Sequence, residues 1–341
     1  MIAGGRRQNR DWTARFALLL LCLLPAWVLL QLLFRTTVYA EPTRLALLAA
    51  LSYPCVVYLL SDLAARHVDQ ARRTMVWFAF VVSVIAILQN ATAPGKVFWL
   101  FQTPYTLIMG PILSRNHWAA FVEAVLPIAL YYALRSPDSL WLYSAMAASL
   151  YASVIAGASR AGTVICTVEL VVVPILIARR RHLPSAAGRI FVPIIGTVVL
   201  FTLIVGPEVV IERLMEPDPY SMRRDVIEPS LAIVRDHPGM GIGTGNWPIV
   251  YPQYASRDFG VFMNEAHNDW LQWAGEGGVF YAAVFLLLAA IAWRQAWRFP
   301  WAAGVPAVFC HAFVDYPFSR PALAAWTLSV FALSLASRPR E

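Results

Sequence analysis

Residues 267–281 read His267-Asn268-Asp269-Trp270-Leu271-Gln272-Trp273-Ala274-Gly275-Glu276-Gly277-Gly278-Val279-Phe280-Tyr281, and they join a long polar stretch to an apolar run reaching residue 293. A run of about twenty apolar residues crosses a hydrocarbon core. One histidine therefore stands where a large loop re-enters a membrane. Working outward, apolar runs recur at 16–34, 44–61, 74–90, 117–134, 140–157, 163–178, 190–206, 277–293, 299–313 and 322–337. A hydrophobic share of 59 % against 14 % charged residues exceeds what a soluble core requires. The expectation is an all-α polytopic membrane protein of about ten transmembrane helices. It forms a single transmembrane domain over 1–341, with one large loop, 207–276, between spans seven and eight.

Charge sets the orientation. With both termini inside, the inner segments hold sixteen of the twenty-seven basic residues, from Arg6, Arg7, Arg10 and Arg15 to Arg338 and Arg340. Of the other eleven, Arg213, Arg223, Arg224, Arg235 and Arg257 lie in the long loop, and long loops are largely exempt from the positive-inside rule. The short-loop balance of sixteen against six predicts cytoplasmic N- and C-termini and an outward-facing loop. The net charge of +7 is dispersed over juxtamembrane turns without a basic stripe. That excludes a nucleic-acid partner and favours anionic membrane lipid. Cys22, Cys55, Cys166 and Cys310 lie in apolar runs without CxxC spacing, which argues against a disulfide framework or a zinc site. The arginines before Phe16 and the Val38-Tyr39-Ala40 sequence resemble a cleavable signal peptide, but the apolar run is long and more spans follow, so a retained first helix is expected.

The loop carries the chemistry. Ser221–Glu228 and Ser230–Asp236 are compatible with two short helices separated at Pro229. Gly239, Gly241, Gly243 and Gly245 then form a strap that lacks the Lys-Ser/Thr of a phosphate-binding loop, and a turn that packs the loop is its ordinary explanation. Trp247, Tyr251, Tyr254, Phe259 and Phe262 suit either sugar stacking or the membrane interface. Asn264-Glu265 reads as a helix start, placing His267 in the first turn, where the positive dipole end would keep an imidazole neutral as a general base requires. A hydrogen bond to a neighbour is the plainer role for such a histidine.

Other outward turns pair arginine with small or amide residues: Ser114-Arg115-Asn116-His117, Ser159-Arg160-Ala161-Gly162, Arg223-Arg224-Asp225, and Asp315-Tyr316-Pro317 with Arg320. Individually each is an ordinary snorkelling or loop charge. Together they suggest a pocket for an anion such as a diphosphate, which arginine binds bidentately. Glu123 and Glu169 lie within spans; partnership with Arg115 or Arg160 would explain them structurally. His311 and Asp315, four apart, lack the third ligand of a metal site.

These residues carry a resemblance. His267-Asn268, Gly278 and Tyr281 are similar to the His-[Asn/Ser/Gln]-x9-Gly-x2-[Gly/Thr/Tyr] signature of the O-antigen ligase and polymerase superfamily, which includes bacterial protein O-oligosaccharyltransferases. Ser114-Arg115-Asn116-His117 with Pro127 resembles the segment that opens a span in that family. Ser159-Arg160-Ala161-Gly162 resembles its Ser-Arg-x-Gly turn, and Pro238 through Gly243 its glycine strap. The likeness covers roughly residues 105–320, in a chain shorter by about one hairpin than most members.

The resemblance implies a GT-C-like, metal-independent, inverting glycosyltransferase of the bacterial inner membrane, with no cofactor. Its donor would be an undecaprenyl-diphosphate-linked glycan and its active site periplasmic. The implied acceptor is a hydroxyl of lipid A-core, of another glycan as in a polymerase, or of a protein. His267 would act as general base, with Arg160 and Arg223 or Arg224 holding the leaving diphosphate. Arg115, Asn116, Asn268, Asp315 and Arg320 would contact substrate. A flippase that moves such a lipid without bond chemistry is the alternative of another class; it would be expected to gather its ionisable groups near the midplane rather than at one face.

Overall fold

Apolar runs with few interruptions become long helices because in lipid every backbone N–H and C=O must be satisfied within its own segment. The computed structural model describes residues 5–105, 108–135, 137–181, 192, 195, 196, 199, 221–258 and 260–337. The helices used below are α1 (Gly5–Leu33), α2 (Ala40–Thr92), α3 (Arg115–Glu123), α4 (Leu126–Ala133), α5 (Pro137–Ala156), α6 (Arg160–Arg181), α7 (Ser221–Asp236), α8 (Trp247–Val250), α9 (Asp269–Arg298), α10 (Gly304–His311) and α11 (Pro321–Ala336). A two-stranded hairpin pairs Lys96 with Gln102 and Val97 with Phe101.

The protein is an all-α polytopic membrane protein. Among the described residues, six segments are long and apolar enough to cross a membrane: Trp12–Leu33, Ala40–Asp62, His67–Thr92, Pro137–Ala156, Arg160–Arg180 and Asp269–Arg298. They match six of the ten expected runs; the run at 190–206 lies, except for four positions, outside the described residues. The other three differ from unbroken spans for identifiable reasons. The 117–134 run is divided between α3 and α4, because Pro127 has no N–H to give the carbonyl of Glu123. The 299–313 run becomes a 3-10 turn and the eight-residue α10, since Phe299, preceding Pro300, is driven out of the helical region (φ −134°, ψ 89°). The 322–337 run forms α11, sixteen residues long with proline at its first position.

The chain divides into two compact units. The first comprises Met1–Arg66, Asp218–Arg294 and Ala312–Arg338; the second comprises His67–Pro217, Gln295–His311 and Pro339–Glu341. In the first, the loop builds its own core from Val226, Ile233, Ile242, Trp247, Val250, Tyr251, Met263 and Ala266. The expected pair of loop helices is one helix, α7, which continues through Pro229. Burial of Val226, Pro229, Ser230 and Ile233 on one face offsets the roughly 3 kcal/mol that an interior proline costs. Trp247, fully buried, donates Nε1–H to Ser230 Oγ at 3.2 Å and stacks on Tyr251. Both rings are core residues rather than a sugar platform or an interface belt.

The glycine strap performs the packing role expected of it. α9 is broken at Gly278 (φ 73°, ψ −178°), and the carbonyls of Gly275 and Glu276 accept the N–H groups of Ile242 and Gly243, each at 3.0 Å. In return, Pro238 C=O accepts the N–H of Val279. Side chains cannot fit in this crossing: a Cβ on Gly278 would lie 1.9 Å from the oxygen of Gly239, and one on Gly241 2.3 Å from that of Glu276. Gln31, buried in α1, completes the junction. Its Nε2 donates to the carbonyls of Met240 and Glu276, and its Oε1 accepts from the backbone and hydroxyl of Thr244.

In the second unit, α3 and α6 meet so closely that a Cβ on Gly162 would fall 2.2 Å from that of Ala119. Buried Trp118 donates to Ser153 Oγ at 3.0 Å, tying α3 to α5.

Candidate active site

α9 starts at Asp269, four residues later than an Asn264 cap with Glu265 in the first turn predicts. Asn268 caps it, its Oδ1 accepting the Leu271 N–H at 3.1 Å. The N–H of Asp269 donates to the carbonyls of Ala312 and Asp315, at 2.9 and 3.2 Å. Its buried carboxylate accepts the Phe318 N–H and the Ser319 hydroxyl, both at 2.8 Å. These bonds to the 312–320 turn delay the helix start and leave His267 outside it, in the left-handed region at φ 51°. The first-turn argument therefore does not apply to His267.

What the turn provides is a partner. His267 Nδ1 lies 3.4 Å from Asp315 Oδ1; the histidine side chain is 28 % exposed and the aspartate 2 %. The imidazole meets the Tyr316 ring edge-on, with centroids 4.9 Å apart. Arg320 lies over the other side of this group, its guanidinium 4.8 Å from the Tyr316 ring and 3.3 Å from Glu265 Oε1. Burial pushes the Glu265 carboxyl above its ordinary range, partly offset by a hydrogen bond from Gln272 and by Arg320. Arg223 donates to the carbonyl of Val314 at 2.8 Å, next to Asp315, while Arg224 is exposed on α7. The first unit thus gathers His267, Asn268, Asp315, Arg320 and Arg223. An imidazole whose Nδ1–H is held by a carboxylate presents Nε2 as a proton acceptor.

The second unit holds Arg115, Asn116 and Arg160. Arg115 opens α3 and Arg160 opens α6. The Ser159 hydroxyl donates to Asn116 Oδ1 at 2.9 Å and accepts the Gly162 N–H at 3.2 Å, so one serine caps α6 and joins the two helix starts. Two positive dipole ends, each bearing an arginine, meet at one corner suited to an anion.

Residues 145–286 match the family model described as O-Antigen ligase. Over that stretch the chain is similar to the O-antigen ligase family. No curated protein matches the chain. The O-antigen ligase match takes in the Arg160 turn, the strap, His267, Gly278 and Tyr281, and ends before Asp315 and Arg320. A membrane enzyme that joins a lipid-linked glycan to an acceptor is the general activity of an O-antigen ligase family.

Some expected partnerships give way to others. Glu123 is bound by His311, Nδ1 to Oε1 at 2.7 Å, with both side chains fully buried. Glu123 ends α3 eight residues from Arg115, which is about 12 Å along the helix axis and beyond reach of that guanidinium. Neither oxygen of buried Glu169 has a hydrogen-bond partner among the described residues, and Arg160 stands nine residues back on the same helix. Among the described residues no group of three or more His, Cys, Asp or Glu side chains is gathered to hold a metal ion. Asp269, Gln31 and the orienting role of Asp315 escaped sequence reasoning. Only Asp269 carried a local signal, as the acidic residue directly after an asparagine cap.

Proposed function

We propose that this protein is an inner-membrane glycosyltransferase, GT-C-like with about ten spans, that moves a glycan from undecaprenyl diphosphate to an acceptor hydroxyl at the periplasmic face. The observation that carries the reading is that His267, on the loop that the O-antigen ligase match includes, pairs with buried Asp315, which lies beyond that match. In this reading Asp315 holds Nδ1–H, and Nε2 of His267 takes the proton of the acceptor hydroxyl as its oxygen forms the bond to the anomeric carbon. The bond from that carbon to the diphosphate oxygen breaks, and one displacement inverts the configuration. Negative charge grows on the leaving diphosphate, where fixed cations lower the barrier most. Arg160 and Arg115, at the starts of α6 and α3, supply bidentate donors together with helix-end N–H groups, and Arg223 is favoured over exposed Arg224 for the same task. These arginines would perform the charge stabilisation without a metal ion or other cofactor.

The test is transfer by the purified full chain in lipid nanodiscs. Undecaprenyl-diphosphate-linked glycan is supplied with lipid A-core, a second lipid-linked glycan or a serine-rich secreted protein. One acceptor is expected to become glycosylated, and His267→Ala to abolish the product while the variant remains folded and inserted. Full turnover by that variant would end the proposal. Movement of the lipid across the bilayer with no product from any acceptor would favour a flippase.

A further inference from the structure

A cavity of about 200 Å³ opens in the first unit between the amino-terminal half of α2 and the start of α9. The sequence reading did not anticipate it, and the chemistry proposed above makes no use of it. Small residues on α2, Ala46, Ala49 and Ala50, leave the space. One wall is aromatic: Trp273 stacks on Phe285 with centroids 3.6 Å apart, and Tyr281 and Phe318 meet Phe285 edge-on or tilted. Facing it is a polar relay. Gln272 Nε2 donates to Glu265 Oε2 at 2.7 Å and to Glu276 Oε1 at 3.3 Å, and its Oε1 accepts the Ala266 N–H.

The lining holds two tyrosine hydroxyls, and that of Tyr53 donates to the carbonyl of Phe318 at 3.0 Å. Tyr281 is 4 % exposed and lines the cavity, yet its hydroxyl makes no hydrogen bond to any described residue. The hydroxyl faces the cavity, where it can donate to or accept from an incoming polar group.

The lining selects a chemical class. Two carboxylates repel phosphate and accept hydrogen bonds from neutral hydroxyls. Flat aromatic rings cover the apolar face of a pyranose. The volume lies below the ~300 Å³ at which drug-sized sites begin, which suits a single ring. Glu265, shared by this cavity and the Arg320–Tyr316–His267 group, stands two residues before His267 in the chain. We infer that the cavity is the subsite for one neutral sugar ring of the acceptor, held by Tyr281, Glu265 and Glu276; this rests on the glycosyl-transfer reading above. It makes Tyr281 a specificity determinant and separates acceptor recognition from the arginines proposed for the diphosphate.

The test has a binding arm that does not depend on turnover. Saturation-transfer NMR on the full chain in nanodiscs is run with free glucose, galactose, N-acetylglucosamine and a heptose, with inorganic phosphate as competitor. At least one sugar is expected to bind, phosphate not to displace it, and Tyr281→Phe and Glu276→Gln each to weaken binding about five- to tenfold, as loss of one hydrogen bond does. Ala46→Phe, which fills the cavity from α2, is expected to abolish binding in a chain that keeps its melting temperature. Absence of binding by all four sugars, or binding indifferent to all three variants, overturns the subsite. In the transfer assay Tyr281→Phe is expected to raise the acceptor KM and leave the donor KM alone; a change confined to the donor KM also overturns it. Tyr281-dependent sugar binding without transfer to any acceptor would sink the transfer reading and leave the sugar site standing.

Discussion

His267 Nδ1 faces Asp315 Oδ1 at 3.4 Å, across forty-eight residues of sequence, and the carboxylate is the more deeply buried of the two. This sidedness fixes which nitrogen is left for a substrate. Asp315→Asn keeps the shape but can hold the imidazole in the wrong tautomer, so transfer is expected to slow by about 10²-fold or more with little change in donor KM. An unchanged rate in steady-state transfer would reduce Asp315 to a structural residue.

Position 267 also tests backbone strain. At φ 51° a residue with a Cβ is strained and glycine is not. Both His267→Ala and His267→Gly are expected to be inactive, but the glycine variant should be the more stable of the two by about 1 kcal/mol in thermal melts. Equal stability would show that the loop relaxes when the ring is removed.

Arg160→Lys retains a charge at the start of α6 and loses the planar fork. If the arginine grips a diphosphate bidentately, kcat/KM for the donor is expected to fall at least about tenfold. A rate matching the parent protein would leave Arg160 as a topological anchor.

The strap crossing makes a stability prediction with an internal control. Gly278→Ala places a methyl against the Gly239 carbonyl and is expected to cost about 2–4 kcal/mol. Gly239→Ala, whose methyl would meet nothing within 4 Å, is expected to be nearly neutral. Comparable melting temperatures for the two variants would contradict the crossing.

Glu265 predicts a pH dependence. Burial raises its carboxyl above the unfolded value, so the folded state holds this proton more tightly than the unfolded chain does. The resulting stabilisation is present in full below the unfolded value and is lost as pH rises through the higher folded one. Glu265→Gln removes the proton site, so the melting temperature of the parent relative to the variant is expected to be highest in acid and to decline over that window. A difference that grows with pH would reverse the assignment.

Sequence by itself determined the membrane class, six of the long apolar helices, the packing role of the strap, and the likeness of His267-Asn268, Gly278 and Tyr281 to O-antigen ligases. These are legible because hydropathy, proline and glycine act on the residues beside them. Even so, Pro229 misled: its local penalty is real, but burial of Val226 and Ile233 outweighs it. Tertiary structure decided what local chemistry cannot. Asp269 captures the 312–320 turn and so moves the start of α9, places His267 outside the helix and sets Asp315 beside it. Glu123 turns to His311 rather than Arg115 because a helix carries residues eight apart out of each other's reach. The cavity under Tyr281 exists only because alanines of α2 lie opposite aromatic residues of α9, more than two hundred positions later. Each of these depends on groups brought together by folding, and spacing along the chain holds no record of them.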